Sequence, residues 1–212
     1  METFEYVEIK VKQADRICSP VALDDRCIST WIEQDVKIYL YEFNEDGLVI
    51  NCANIGRFTV YRSGYERRFE SGFSLYDDFD MDFPSLCKLI PAWRRDGDGK
   101  HLLCDDGWTG AAKDLLGGDG CYTDPQVCDI YIVNDFRLRP RYMGYGYGIE
   151  ALAIYINAYC NCESYVFLDK EDLDSETLTK HFAKLGFFDL SNGYMLKDCT
   201  QKCSYEFRQT NQ

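Results

Sequence analysis

The residues whose types and spacing can do chemistry lie between positions 137 and 148. Arg137, Arg139 and Arg141 alternate along the chain, and Gly144, Gly146 and Gly148 then alternate after them. The start of a helix leaves backbone N–H groups without partners and carries partial positive charge, so a glycine-rich approach lets a diphosphate sit directly on that end. No acid occurs between Arg137 and Glu150, although the chain carries a net charge of -13. A cationic island in so acidic a chain favours an anionic ligand. Two familiar phosphate loops do not fit. No Lys-Ser or Lys-Thr follows the glycines, and their G-x-G-x-G spacing after Arg-Pro-Arg is not the G-x-G-x-x-G of a dinucleotide fingerprint. Under the plainer reading, the glycines serve only close packing of a helix on a strand.

Other ligating residues are less ordered. The closest cysteines are Cys160-x-Cys162 and Cys199-x3-Cys203, with only His101 and His181 to complete a site, so no metal centre is expected. Asp78, Asp80 and Asp82 begin like a calcium loop, but Phe83 stands where glycine is required and Leu89 where the bidentate Glu belongs. These acids suit the start of a helix, or an acidic funnel for a cationic acceptor.

A strand and a helix must hold the glycine loop. Cys128, Ile130, Ile132, Phe136 and Leu138 alternate with Asp129, Tyr131, Val133, Asp135 and Arg137. Asn134 breaks the pattern, which predicts a long strand bulged at Asn134 and Asp135. Ile149, Leu152, Ala153, Ile156 and Cys160 then recur at helical spacing, and residues 165–168 form a short apolar strand. The unit reads strand, glycine loop, helix, strand, with its two strands parallel and adjacent. A second helix starts at Asp174 or Ser175, buries Leu178, Phe182 and Leu185, and stops at Gly186. Residues 187–190 and 194–197 form a hairpin around Asn192 and Gly193.

The first half reads as strands over residues 6–11, 36–43, 48–52 and 57–62, with a hairpin turn at residues 44–47. After Pro84, the residues Leu86, Leu89, Ile90 and Trp93 have helical spacing that Pro91 ends or bends. Residues 96–120, rich in Gly and Asp, read as an inserted loop with one short helix at 111–116.

The composition is globular, with 46% hydrophobic residues in 212, and one packed core is the default. The acidic balance argues against nucleic acid as a partner, because phosphate backbones call for clustered Lys and Arg. No run approaches the length of a membrane span, and Glu2, Glu5, Glu8 and Lys10 leave no apolar leader. The eleven cysteines are therefore expected to be reduced, most of them as small core side chains, in a cytoplasmic protein.

Arg141-Tyr142-Met143-Gly144-Tyr145-Gly146 resembles the Q/R-x-x-G-x-G/A phosphate loop of the GNAT superfamily of CoA-dependent N-acyltransferases. Phe182-Ala183-Lys184-Leu185-Gly186-Phe187 is similar to that family's aromatic-x-x-x-Gly-Phe helix ending. The two anchors span residues 127–197. The resemblance implies an α+β (α/β) fold, with a mixed, mostly antiparallel twisted sheet, a parallel splayed central strand pair and helices packed on both faces. It implies one domain over residues 1–212, in which 1–126 supply variable strands, a helix and acceptor-side loops, and 127–198 the acyl-CoA-binding core.

The resemblance also implies acetyl-CoA, or another acyl-CoA, as cosubstrate. Phe136 and Leu138 would pair with its pantetheine arm as an added strand. Met143, Gly144, Tyr145, Gly146, Tyr147 and Gly148 would hold its pyrophosphate, with Arg139 or Arg141 as charged partners. Ser175 stands where the family frequently has Asn near the cofactor, and Phe182 where it often has the Tyr that protonates the leaving thiolate. Asp129 and Asp135 are the candidate bases, and His181 and Tyr194 the candidate acids. The acceptor is a primary amine on a small molecule or protein. A non-catalytic CoA-binding or protein-interaction module is the alternative, and a homodimer stays open.

Overall fold

The computed structural model describes residues 4–15, 31–66, 68, 79, 83–89, 94–95, 101–102, 128–160, 164–170, 176–190 and 193–199. Strands β1 (Phe4–Asp15), β2 (Trp31–Phe43) and β3 (Val49–Ser63) form an antiparallel meander. The β2–β3 turn is closed by the Asn44 side chain, whose Oδ1 accepts from Asp46 N at 3.1 Å and Leu48 N at 2.8 Å. A 3-10 helix spans Pro84–Leu89, and the rest of the expected helix, toward Pro91, lies outside the described residues. Strands β4 (Arg94–Arg95) and β5 (His101–Leu102) pair antiparallel as a separate two-stranded sheet. His101 and Leu102 thus belong to a strand within a region read as loop, while the expected helix at 111–116 lies outside the described residues.

The second half follows β6 (Asp129–Leu138), α1 (Tyr147–Tyr159), β7 (Ser164–Asp169), α2 (Glu176–Ala183), β8 (Phe188–Asp189) and β9 (Tyr194–Asp198). Seven strands make one mixed sheet in the order β1-β2-β3-β6-β7-β9-β8, and only β6–β7 is parallel. The strand β3 runs unbroken through positions read as two strands, because Gly56 still pairs with Ile38 and with Leu138 on either side.

Each sheet face carries its own core. Val36, Ile38, Phe58, Val60, Tyr131, Val133 and Val166 pack on the first face with Leu152, Tyr155 and Ile156 of α1 and with Phe182 beside them on α2. Trp31, Ile130, Ile132, Phe167 and Leu196 face the other way, against Phe79, Phe83 and Leu86. Among the described residues, α1 and α2 share one face, and the opposite face is covered by the helical residue Phe79, by Phe83 and by the short 3-10 segment.

The expected bulge is present in β6. Thr59 pairs with Asn134 but Arg57 with Arg137, so β6 carries one residue more than β3 across this stretch. Asp135 takes φ 51°, a region that Asp tolerates better than most side chains, and its N–H donates to Asn134 Oδ1 at 2.7 Å. The extra residue moves the inward positions from Tyr131 and Val133 to Phe136 and Leu138, both packed against the α1 side.

Candidate functional site

The chain leaves β6 at Leu138 held to β3, where Arg139 N donates to Ile55 O at 2.8 Å. A 3-10 turn at Pro140–Tyr142 follows, with Tyr142 N bonded to Arg139 O at 2.9 Å and Met143 N to Pro140 O at 3.2 Å. Pro140 opens that turn with its φ already set. Gly144 at φ 86° and Gly146 at φ 89° then turn the chain into α1. A side chain at either position would be strained, and a Cβ at either would have nothing within 4 Å. The need for glycine there is conformational, and the space outside the backbone is open.

Gly146 is the N-cap of α1 and has no side chain to cap it. The first helical bond runs from Glu150 N to Gly146 O at 3.1 Å. The N–H groups of Tyr147, Gly148 and Ile149 precede it and have no acceptor within the helix. Gly148 differs from the other two glycines. Its Cβ would lie 3.0 Å from Phe136 Cε1 and 3.1 Å from Leu138 Cδ1, so this glycine lets the first turn of α1 settle on the end of β6. The loop thus contains both roles offered by the sequence, open approach at Gly144 and Gly146 and close packing at Gly148.

Three tyrosines surround the turn. Tyr145, 71% exposed, stacks on Tyr147 with centroids 5.7 Å apart, and Tyr142 meets Tyr147 edge-on at 6.5 Å. Tyr147 Oη donates to Glu5 Oε2 at 2.5 Å, tying the loop to β1. Burial, then the bond to Glu5, pushes the Tyr147 phenol above its ordinary value. Met143 is exposed, Arg139 and Arg141 are exposed, and the Arg141 guanidinium lies 4.7 Å above the Tyr142 ring. Arg137 is paired with Asp135 at 2.5 Å. Of the three alternating arginines, Arg139 and Arg141 therefore supply the cationic character of the loop. Glu150 opposes it from the first turn of α1. Desolvation and, secondarily, Glu5 push its carboxyl above the ordinary range.

The parallel ladder between β6 and β7 ends at Val133 and Leu168, while β6 continues to Leu138. Among the described residues, no strand pairs with residues 134–138 on that side of β6. Phe136 stacks on Phe58 at 5.1 Å and meets Phe182 edge-on at 6.0 Å. Phe182, 1% exposed, also meets Phe187 at 6.2 Å, so its ring belongs to the core under α2. Ser175 lies outside the described residues.

The four candidate acid–base residues do not converge. Asp129 sits at the start of β6, about 30 Å of strand from Leu138. Its oxygens are occupied by Arg62 at 2.9 Å and by Tyr65 N at 3.0 Å. Asp135 lies at the bulge, next to the end of the parallel ladder, but is held by Arg57 at 3.1 Å as well as by Arg137. His181 is on α2, on the first face. Tyr194 is on β9 and is buried in the second face with Trp31 and Phe83. Sequence reading missed Arg57 and Arg62, whose pairing with these aspartates is set by the β3–β6 register and leaves no local signal. It also missed Gly56, where a Cβ would lie 2.5 Å from Arg137 O. A glycine inside a strand marks such a close backbone approach.

Among the described residues, no group of three or more His, Cys, Asp or Glu side chains gathers to hold a metal ion, and no helix is long and apolar enough to cross a membrane. No family model matches the chain, and no curated protein or solved structure matches it.

Proposed function

We propose that this chain is an acyl-CoA-dependent N-acyltransferase of the GNAT kind, transferring acetyl from acetyl-CoA to a primary amine by direct attack in a ternary complex. The observation that carries the reading is the open approach through Gly144 and Gly146 to the uncapped start of α1. That approach directly follows a strand whose parallel ladder has already ended at Val133. Backbone N–H groups at Tyr147 and Gly148, with Arg139 and Arg141, would hold the pyrophosphate. The free edge of β6 around Phe136 and Leu138 would accept the pantetheine amides. The thioester supplies an activated acyl carbon, and a backbone N–H near the bulge would stabilise charge on its oxygen.

The reading includes one GNAT-like domain over residues 1–212, with the acyl-CoA core in 127–198, helices on both sheet faces, and a cytoplasmic setting. It needs no metal, nucleic acid or membrane, and allows a homodimer. Release of free thiol from acetyl-CoA across a panel of primary amines tests it, alongside calorimetric binding of acetyl-CoA. Binding without turnover with any amine would leave only a non-catalytic CoA-binding module. That second reading is favoured by the ion pairs on Asp129 and Asp135 and by the burial of Phe182. Absence of binding would remove both CoA-dependent readings.

A further inference from the structure

Cys160 and Cys199 meet at the far end of α1 from the glycine loop. The helix has 13 residues, so about 20 Å separates the two ends. Cys160 is the C-cap of α1, its N–H bonded to Ile156 O at 2.9 Å. Cys199 directly follows β9, its N–H bonded to Ser164 O at 3.0 Å at the start of β7. The side chains hydrogen-bond each other, are half-buried against the first core, and are free thiols. Arg62 and Asp129 act on Cys160, and Lys197 and Asp198 on Cys199.

We propose that Cys160 and Cys199 form a redox-active dithiol that hydrogen peroxide, or another hydroperoxide, converts to a disulfide fastening the end of α1 to the end of β9. The two sulfurs are unequal. The hydrogen bond from Cys160 holds Cys199 below the ordinary thiol range against the effect of burial, and the Lys197 ammonium adds to it. The same bond, with burial, pushes Cys160 up, so Cys160 keeps the proton and Cys199 supplies the thiolate. The thiolate is the nucleophile in this chemistry. Cys199 attacks a peroxide oxygen, the O–O bond breaks, hydroxide leaves, and the sulfur becomes a sulfenic acid. Cys160 sulfur then attacks that sulfur. The S–S bond forms, the S–O bond breaks, and the hydroxyl departs with the Cys160 proton as water. Two electrons pass from the sulfurs to the peroxide. The other described cysteines lack this arrangement, since Cys52 is exposed beside Tyr41 and Cys128 is enclosed in the second core.

The test uses the full chain, reduced, freed of reductant, treated with hydrogen peroxide, alkylated and mapped by mass spectrometry. The expected product is a peptide pair joined through Cys160 and Cys199, two hydrogens lighter than its reduced parts and separated again by dithiothreitol. In Cys160→Ser, peroxide should leave a sulfenic acid on Cys199 that dimedone traps, and neither Cys160→Ser nor Cys199→Ser should yield the joined peptide pair. Equal alkylation of both thiols with and without peroxide overturns the proposal. So does a bridge running to Cys162 or Cys203 instead, or protection that precedes peroxide and disappears with a chelator, which would mark a metal site. The mapping of the unmodified chain decides the matter even if a serine variant fails to fold.

Discussion

Two substitutions at Gly146 separate the backbone requirement of the loop from its proposed grip on phosphate. At φ 89° an L residue is strained by about 1–2 kcal/mol, and alanine adds no clash because nothing lies within 4 Å of its Cβ. Gly146→Ala should therefore lower unfolding stability by about that amount, within the roughly 5–15 kcal/mol that a domain of this kind holds, and stay folded at room temperature. Gly146→Glu carries the same backbone cost and adds a carboxylate at the start of α1. A like charge about 4 Å away costs about 1 kcal/mol in water and about 4 kcal/mol at an effective dielectric near 20. Acetyl-CoA affinity should then fall roughly fivefold to several hundredfold below that of the alanine variant. Urea denaturation gives the stability of both variants, and calorimetric titration gives their affinity. Equal acetyl-CoA affinity in two folded variants would mean that no diphosphate sits on this helix end.

Gly148→Ala places a methyl 3.0–3.3 Å from the Phe136 ring and should destabilise the fold by about 1 kcal/mol, near the low end of overpacking costs, with partial recovery in the Phe136→Leu background by urea denaturation. Glu150 has a folded-state value above its unfolded one, so the stability it contributes is fully present below the unfolded range, near pH 4, and is lost as pH rises through the folded value. Glu150→Gln should accordingly raise Tm relative to the parent at pH 7, with the difference closing toward pH 4 in thermal denaturation.

The glycine loop and its two flanking elements were legible because each depends on neighbours in sequence. Alternation exposed β6, its break at Asn134 exposed the bulge, and the run from Ile149 to Ile156 at helical spacing exposed α1. The state of the candidate bases was not legible. Arg57 lies 78 residues from Asp135, and Arg62 lies 67 from Asp129, so only the sheet register brings these charges together. The face of Tyr194 could have been read from its alternation with Met195 and Leu196, which would have set it apart from the helix that carries His181. Phe182 is buried, and aromatic character alone does not distinguish a core ring from one beside a ligand.

The additional residue in β6 governs what the later part of the strand offers to α1. Were the same residues to run straight on from Val133 as a regular strand, Arg137 rather than Phe136 and Leu138 would turn toward Gly148, placing a guanidinium beneath the helix and parting the Phe58 and Phe136 rings. Loss of Asp135 would let regular alternation run Tyr131, Val133, Phe136, Leu138 and keep Phe136 and Leu138 on the α1 side, so the glycine loop depends on the bulge only while the strand keeps its present number of residues.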